Sequence, residues 1–383
     1  MKTALFTYCD KILSRHPDSR AVNEKKVQLV LCFGAKSIFQ SENVFQLLKD
    51  RFPSATIATC TTSGEIYHTA VMDDTLSITA VEFDSTAIRS HEVAIGDFTD
   101  SYEAGKALIN KFDQNDLSYV LVLSDGSKVN GSELVRGMNE IAQQKFLVTG
   151  GLAGDGSNFQ STLVGINNTP KEGLIAGIGF YGKNLQVKHG SKGGWEMFGL
   201  EKTVTRSSSN VLFEMDNKNA LEMYKQYLGP EADSLPGSAL LFPLAVKLPG
   251  VSEPIVRTIL SIDDATGSMT FAGDIPVGSK VRFMKANFDK LTNAASGAAA
   301  QTQVNGDEAP GLALLISCVG RKLILQSRID EEVEAVNEIF GNKTLLTGFY
   351  SYGEISPLVA GNGCQLHNQT MTITTFHETE QAA

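Results

Sequence analysis

Residues 61–66 read TTSGEI and residues 350–355 read YSYGEI, and the flanks of these two hexapeptides decide the fold class. Upstream of the first, VQLVLCF (residues 27–33) is an apolar run of strand length, followed by Val44, Leu47, Leu48 and Phe52 at helical spacing behind Ser41, a candidate N-cap. Pro53 ends that helix and TIATC returns as a strand. Upstream of the second, LALLISCVG with RKLILQSR fills the strand position, and Val333, Val336 and Ile339 share one helical face. Gly341 is a helix stop, and TLLTGF is the returning strand. Downstream, DDTLSITAVEF and HNQTMTITTF both show the period-two alternation of a half-buried strand, with His367 opening the second. A chance tetrapeptide would not bring its neighbours along, so the spelling reports duplicated units.

A weaker third copy lies between them. YVLVLSDG reads as a strand, Ser132 caps a helix with Leu134, Met138 and Ile141 on one face, and FLVTGG returns into LAGDG. Strand, helix, strand and glycine loop is the pattern of right-handed crossovers. Residues 255–285 are strand-rich, with DDATGS and GDIPVGS as turns of a meander. The expected fold is α/β: two related halves of repeated strand-helix-strand units, mixed sheets, and a strand-rich meander in the C-terminal half. The glycine-rich KHGSKGG (residues 188–194) marks the boundary between an N-terminal domain, 1–187, and a C-terminal domain, 188–383.

With 383 residues, 42% hydrophobic and 20% charged, the chain has an ordinary globular composition. Its net charge of -10 and the lack of a Lys/Arg run oppose nucleic-acid binding. No stretch has the length of a membrane span, and MKTALFTYCDKILSR lacks a secretory apolar core, so the expected compartment is the cytoplasm. Five scattered cysteines without CxxC spacing fit reduced thiols.

Chemical motifs are incomplete. TGGLAGDG (residues 149–156) invites a phosphate, but SNFQSTLVGI behind it reads as a strand rather than a helix, and GK[ST] is missing. The six histidines lack a GxSxG partner, and HExxH, HxxxH and CxxCH do not occur. Glu65 and Glu354 would serve acid/base chemistry if the copies faced each other; otherwise a Glu after Gly caps backbone amides. A non-covalent haem asks only for one neutral imidazole and an apolar pocket. His367, beside YSYGEI, and His189, near glycines and the single Trp195, stand in the best contexts, with His68 behind them. The expectation is a protein without catalytic activity.

LSDGSKVNGSELVRGMNE, TGGLAGDGSNFQSTLV, TTSGEI, GFYSYGEISP, SCVGRKLIL and LHNQTMTIT together resemble the FIST sensory family, in its N- and C-terminal regions, from about residue 29 to 376. GSKGGWEMFGLEKTVTRSSSNVLFEMD and QYLGPEADSLPGSALLFPL are similar to the branch containing bacterial nitric-oxide-sensing haemoproteins. The resemblance implies a ligand sensor that holds haem b through a histidine, senses nitric oxide, and acts on a separate histidine kinase or cyclic-di-GMP enzyme. His367 is then the expected iron ligand, ahead of His189 and His68, with Tyr350, Tyr352 and Trp195 around the cofactor. Other FIST regions bind small molecules such as amino acids, for which Gly64, Glu65, Gly353, Glu354 and Arg257 are the expected contacts. Homodimerisation stays open.

Overall fold

The three apolar runs become central strands with both faces buried. The computed structural model describes residues 1–235, 237–251, 253–303, 309–358 and 361–379. The first unit comprises β1 (Lys2–Cys9), β2 (Ile12–Arg15), β3 (Leu29–Gly34), α1 (Lys36–Ser41), α2 (Val44–Arg51), β4 (Thr56–Thr61), the hairpin β5 (Glu65–Tyr67) and β6 (Ala70–Met72), and β7 (Leu76–Glu82). The second has β8 (Ala87–Ala94), α3 (Ser101–Asn110), β9 (Leu117–Ser124), α4 (Gly131–Ala142), β10 (Leu147–Leu152), β11 (Val164–Ile166) and β12 (Leu174–Tyr181).

The third opens with β13 (Leu185–Lys192) and is interrupted by an insertion. This contains β14 (Glu196–Ser208), β15 (Val211–Met215), β16 (Lys218–Asn219), α5 (Ala220–Leu228), β17 (Leu244–Lys247), β18 (Ile255–Arg257), β19 (Ile259–Asp263), β20 (Ser268–Phe271) and β21 (Lys280–Lys285). The unit resumes with α6 (Phe288–Gln301), β22 (Leu312–Cys318), α7 (Val319–Leu325), α8 (Ile329–Ile339), β23 (Leu345–Ser351), the hairpin β24 (Gly353–Pro357) and β25 (Cys364–His367), and β26 (Met371–Glu378).

Each unit arranges its own strands alike, as β4-β3-β7-β1, β10-β9-β12-β8 and β23-β22-β26-β13. The free edge of each is completed by another unit. The β5–β6 hairpin of the first pairs with β23 of the third, β24–β25 of the third with β10 of the second, and β11 of the second with β4 of the first. The registers align the units residue by residue: Leu31 faces Ala58 and Thr79, Leu121 faces Thr149 and Ile178, and Leu314 faces Thr347 and Thr374.

These three leucines enter one core shared by all three sheets. Their chain neighbours, Val30 with Cys32, Val120 with Val122 and Ala313 with Leu315, pack on the opposite face under helices. That double burial is why the runs show no polar alternation. Where units meet, Thr79 donates to Thr347 at 2.7 Å, and Thr149 and Thr374 bond at 2.9 Å. Ala58 and Ile178 hold the same positions at the third junction and complete it with apolar contact in the shared core.

The α/β class, the mixed sheets and the strand-rich stretch in the C-terminal half stand, and the weaker copy aligns as closely as the other two; within that stretch only β19 and β20 follow each other as a hairpin, while β21 pairs with β17 and β14 instead of continuing a meander. RKLILQSR departs from its expected strand: it falls in α7 and a 3-10 turn, because Arg321 turns inward to a buried carboxylate. The caps also shift, from Ser41 and Ser132 to Asn43 and Asn130, whose side chains accept the first-turn amides. Of SNFQSTLVGI, only Val164–Ile166 is strand. Much of KHGSKGG is strand as well, and its Gly190 is needed for packing: a Cβ there would lie 2.0 Å from Ala298 O of α6. His367 ends β25 rather than opening β26. All five cysteines are free thiols. Among the described residues, no helix is long and apolar enough to cross a membrane.

Candidate functional site

The repeated loops meet. The Ser63 N–H donates to Tyr350 O at 2.8 Å, Gly154 N–H to Thr61 O at 3.0 Å, and Tyr352 N–H to Leu152 O at 3.1 Å. These bonds form a closed ring, one from each unit to another. Glu65 and Glu354 occupy matching places in the exchanged hairpins, opposite Phe349 and Gly151. Thr62 Oγ1 donates to Glu65 at 2.5 Å and Ser351 Oγ to Glu354 at 2.7 Å. The Thr75 amide reaches Glu65 at 3.3 Å and the Thr370 amide reaches Glu354 at 3.2 Å. Each carboxyl is thus enclosed by its own unit, the capping arrangement rather than a facing catalytic pair.

Burial pushes the Glu65 carboxyl up to about 7 in spite of these bonds, and pushes Glu354 up as well. Both bind a proton more tightly folded than unfolded. Their stabilising effect is therefore full below the ordinary carboxyl range and is lost as pH rises through about 7. The double variant Glu65→Gln, Glu354→Gln is expected to flatten the fall in Tm between about pH 5 and 8. An unchanged slope in a thermal melt series would refute the assignment.

Gly64 and Glu65 border a polar cleft of about 260 Å³ with Lys36, Ser63, Asp73 and Asp155. Lys36 Nζ hydrogen-bonds Ser161 and lies 3.9 Å from Asp155 Oδ2. Within TGGLAGDG, Asp155 Oδ2 accepts the amides of Gln160 and Ser161 at 3.1 and 3.0 Å. The loop's own carboxylate takes the donors that a phosphate would need.

Tyr352 donates to Asp155, stacks on Phe159 with centroids 4.7 Å apart, and lines a second cleft of about 340 Å³. Arg257 lies buried behind that cleft, donating to Leu366 O at 2.8 Å and Asp274 O at 3.2 Å. Burial lowers its guanidinium to about 10.

Tyr350 is fully buried and donates to Glu332 at 2.6 Å. Glu332 forms a completely enclosed ion pair with Arg321 at 2.6 Å. Sequence reasoning missed this pair. The available signal was Glu332 on the stripe of Ile329, Val333, Val336 and Phe340, an acid where an apolar residue is expected. Trp195 Nε1 donates to Gln369 O at 2.9 Å.

A third cleft, of about 900 Å³, is lined by Phe146, Leu147, Val187, His189, Pro357 and Leu358 among others. Both ring nitrogens of His189 are enclosed and have no hydrogen-bond partner. The backbones of Pro357 and Ile373 lie beside the ring without reaching hydrogen-bond geometry. Burial, helped by nearby His367, lowers the imidazole to about 4, so it is neutral at physiological pH.

His367 differs. It sits in the sheet interior with Nε2 2.9 Å from Ser356 O, its imidazole also lowered to about 4 by burial, and it lines none of the clefts described. Its register opposite Glu354 matches that of Met72 opposite Glu65, so the copies differ chemically at this position. The predicted ligand residues are therefore dispersed: Gly64 and Glu65 at one cleft, Tyr352 at another and His189 at a third. Gly353, Glu354, Tyr350 and His367 lie in the buried framework. His68 lies in the β5–β6 turn with φ of 54°.

Three interlocked α/β units with clefts between and beside them define a concatenated-repeat protein. The chain belongs to the FIST family: the FIST N domain matches residues 28–218 and the FIST C domain matches residues 220–357. FIST domains are small-ligand sensor domains of signalling proteins. Uncharacterised proteins of Mycobacterium bovis and Mycobacterium tuberculosis are each 25% identical over 197 residues, covering 48% of this chain and 48% of theirs. A second Mycobacterium tuberculosis protein is 27% identical over 184 residues, covering 45% and 46%. The chain thus spans about half the length of the curated relatives it matches. Among solved structures, cyanuric acid hydrolase from A. caulinodans aligns over 99% of both chains at 8% identity and a TM-score of 0.37.

Proposed function

We propose that this protein is a cytoplasmic, non-catalytic haem-based sensor of nitric oxide that acts on a separate histidine kinase or cyclic-di-GMP enzyme, with His189 rather than His367 as the iron ligand. The observation that carries the reading is an imidazole without a hydrogen-bond partner beside a cleft of about 900 Å³. An enclosed polar group without a partner loses stability until something binds it.

The residues fit the cofactor. His189 is held neutral, the form that offers a lone pair to iron, and a turn of its ring would bring a nitrogen to the cleft. Phe146, Leu147, Val187 and Leu358 provide an apolar lining, and Lys145 supplies a cation for the propionates. Haem b bound there would supply a ferrous iron that takes up a diatomic gas. His189 lies mid-strand in β13, whose ladder to β26 runs from Leu185–Glu378 to Lys192–Met371. Displacement of its ring is passed along that ladder toward the partner-facing state.

Absorption spectra of haem-loaded protein test the reading. A Soret band that shifts with nitric oxide, survives in His367→Ala and is lost in His189→Ala is expected. A band that His189→Ala retains overturns the ligand assignment, and no band at all overturns the haem reading.

A second reading, a sensor of an amino acid or similar small molecule without haem, is favoured by the polar cleft, where Lys36 and Asp73 offer opposite charges. A rise in Tm with one amino acid, abolished by Lys36→Ala, would select it.

A further inference from the structure

We propose that His16, Asp18 and His68 form a binding site for a divalent transition-metal ion, zinc being the representative, that clamps the first unit's sheet to the third's. One ligand atom from each residue lies within 4.8 Å of the others. Asp18 Oδ2 is 3.8 Å from His16 Nδ1 and 3.9 Å from His68 Nε2. The two imidazoles meet edge to face with centroids 4.6 Å apart. Two imidazoles and a carboxylate are a zinc-type donor set that leaves a position for water.

The geometry is close to what coordination needs. Bonds of about 2.0–2.1 Å in a tetrahedron separate ligand atoms by about 3.3 Å. Roughly half an ångström of closure brings the Asp18 carboxylate, with its side chain 70% exposed, to each imidazole, while the two imidazole nitrogens, within 4.8 Å of each other, close further by turning of the rings. Both imidazoles are mostly enclosed, at 14% exposure, so the fold keeps them side by side.

Present bonding satisfies the cluster poorly. His68 Nδ1 is enclosed without a partner, which leaves only the edge facing Asp18 to find one. His16 Nδ1 accepts a long 3.3 Å bond from the Asp18 amide, which a cation would displace. The Tyr67 ring lies 5.3 Å from that of His16 and is not a competing cation.

Position gives the site its role. His16 follows β2, at the edge of the first unit's sheet, and its amide donates to Leu5 O at 2.8 Å. His68 lies in the hairpin that the first unit lends to the third, and its amide donates to Leu346 O at 3.0 Å. A bound ion would join the two sheets where the exchanged hairpin turns. None of these residues lines the three clefts of the candidate functional site, so the clamp stands independently of the haem reading.

The test is calorimetric titration of tag-free, metal-stripped full-length protein with Zn²⁺, alongside Co²⁺ absorption. One equivalent is expected, with affinity falling by about tenfold or more in each of His16→Gln, His68→Ala and Asp18→Asn, and unchanged in His91→Ala. Zn²⁺ should raise the Tm of the parent protein and leave that of His68→Ala unmoved. Should His68→Ala fold poorly, His16→Gln and Asp18→Asn carry the comparison. No uptake, or equal affinity in His16→Gln and Asp18→Asn, overturns the proposal.

Discussion

Arg321→Met is expected to destabilise the protein by about 3–5 kcal/mol, because it leaves a buried carboxylate without its cation. The guanidinium has no exposed surface, pairs with Glu332 at 2.6 Å, and also donates to Gly193 O at 2.6 Å and Leu291 O at 2.9 Å. Tyr350 and Ser317 donate to the same carboxylate at 2.6 and 3.2 Å, but neutral hydroxyls do not replace the charge. The pair thus joins α6, α7, α8 and two strands of the third unit. Charges removed from water gain little net stability together, so Arg321→Met with Glu332→Leu should regain most of the loss. Urea midpoints of the single and double variants measure this, and a double variant no better than the single would contradict it.

Gly348→Ala is expected to cost about 2–6 kcal/mol, from overpacking of about 1–3 and backbone strain of about 1–3. Its φ is +154°, and a Cβ would lie 1.7 Å from Leu315 O on the paired strand. The equivalent Gly150 is equally tight, with a Cβ 1.9 Å from Val122 O, but its φ is not in the positive region. Gly150→Ala should therefore be the milder change. The first unit carries Thr59 at this register, which shows that the local geometry of the units differs despite their common pairing. Equal midpoints for Gly348→Ala and the parent protein would rule out the strain argument.

The strands were the most legible elements, because VQLVLCF, YVLVLSDG and LALLISCVG are apolar on both faces and too short for buried helices. The helix over residues 44–51 and the stop at Gly341 followed from periodicity and glycine chemistry. RKLILQSR misled because a short apolar run with flanking bases carries no decisive period, and the inward turn of Arg321 depends on Glu332 eleven residues on. The exchange of hairpins was not readable at all, since β5–β6 pairs with strands nearly three hundred residues away.

For the site, the matching positions of Glu65 and Glu354 and the inequality of Met72 and His367 were legible from the duplication. Which histidine borders a cleft was not. His189 and His367 both stand among mainly polar sequence neighbours, in VKHGS and QLHNQ, and only the fold places Phe146, Val187 and Leu358 around one of them. Likewise His16 and His68 are separated by three strands and two helices, so no spacing rule connects them.

The circular lending of strands has a bearing on how the chain is made. On the ribosome, the β5–β6 hairpin emerges long before the strand with which β5 pairs, Leu345–Ser351. The first unit's sheet must wait for residues 164–166 and the second's for Gly353–Pro357 and Cys364–His367. The first and second units cannot close their sheets during their own synthesis, and the β5–β6 hairpin waits for the third unit as an unpaired edge open to association with other nascent chains.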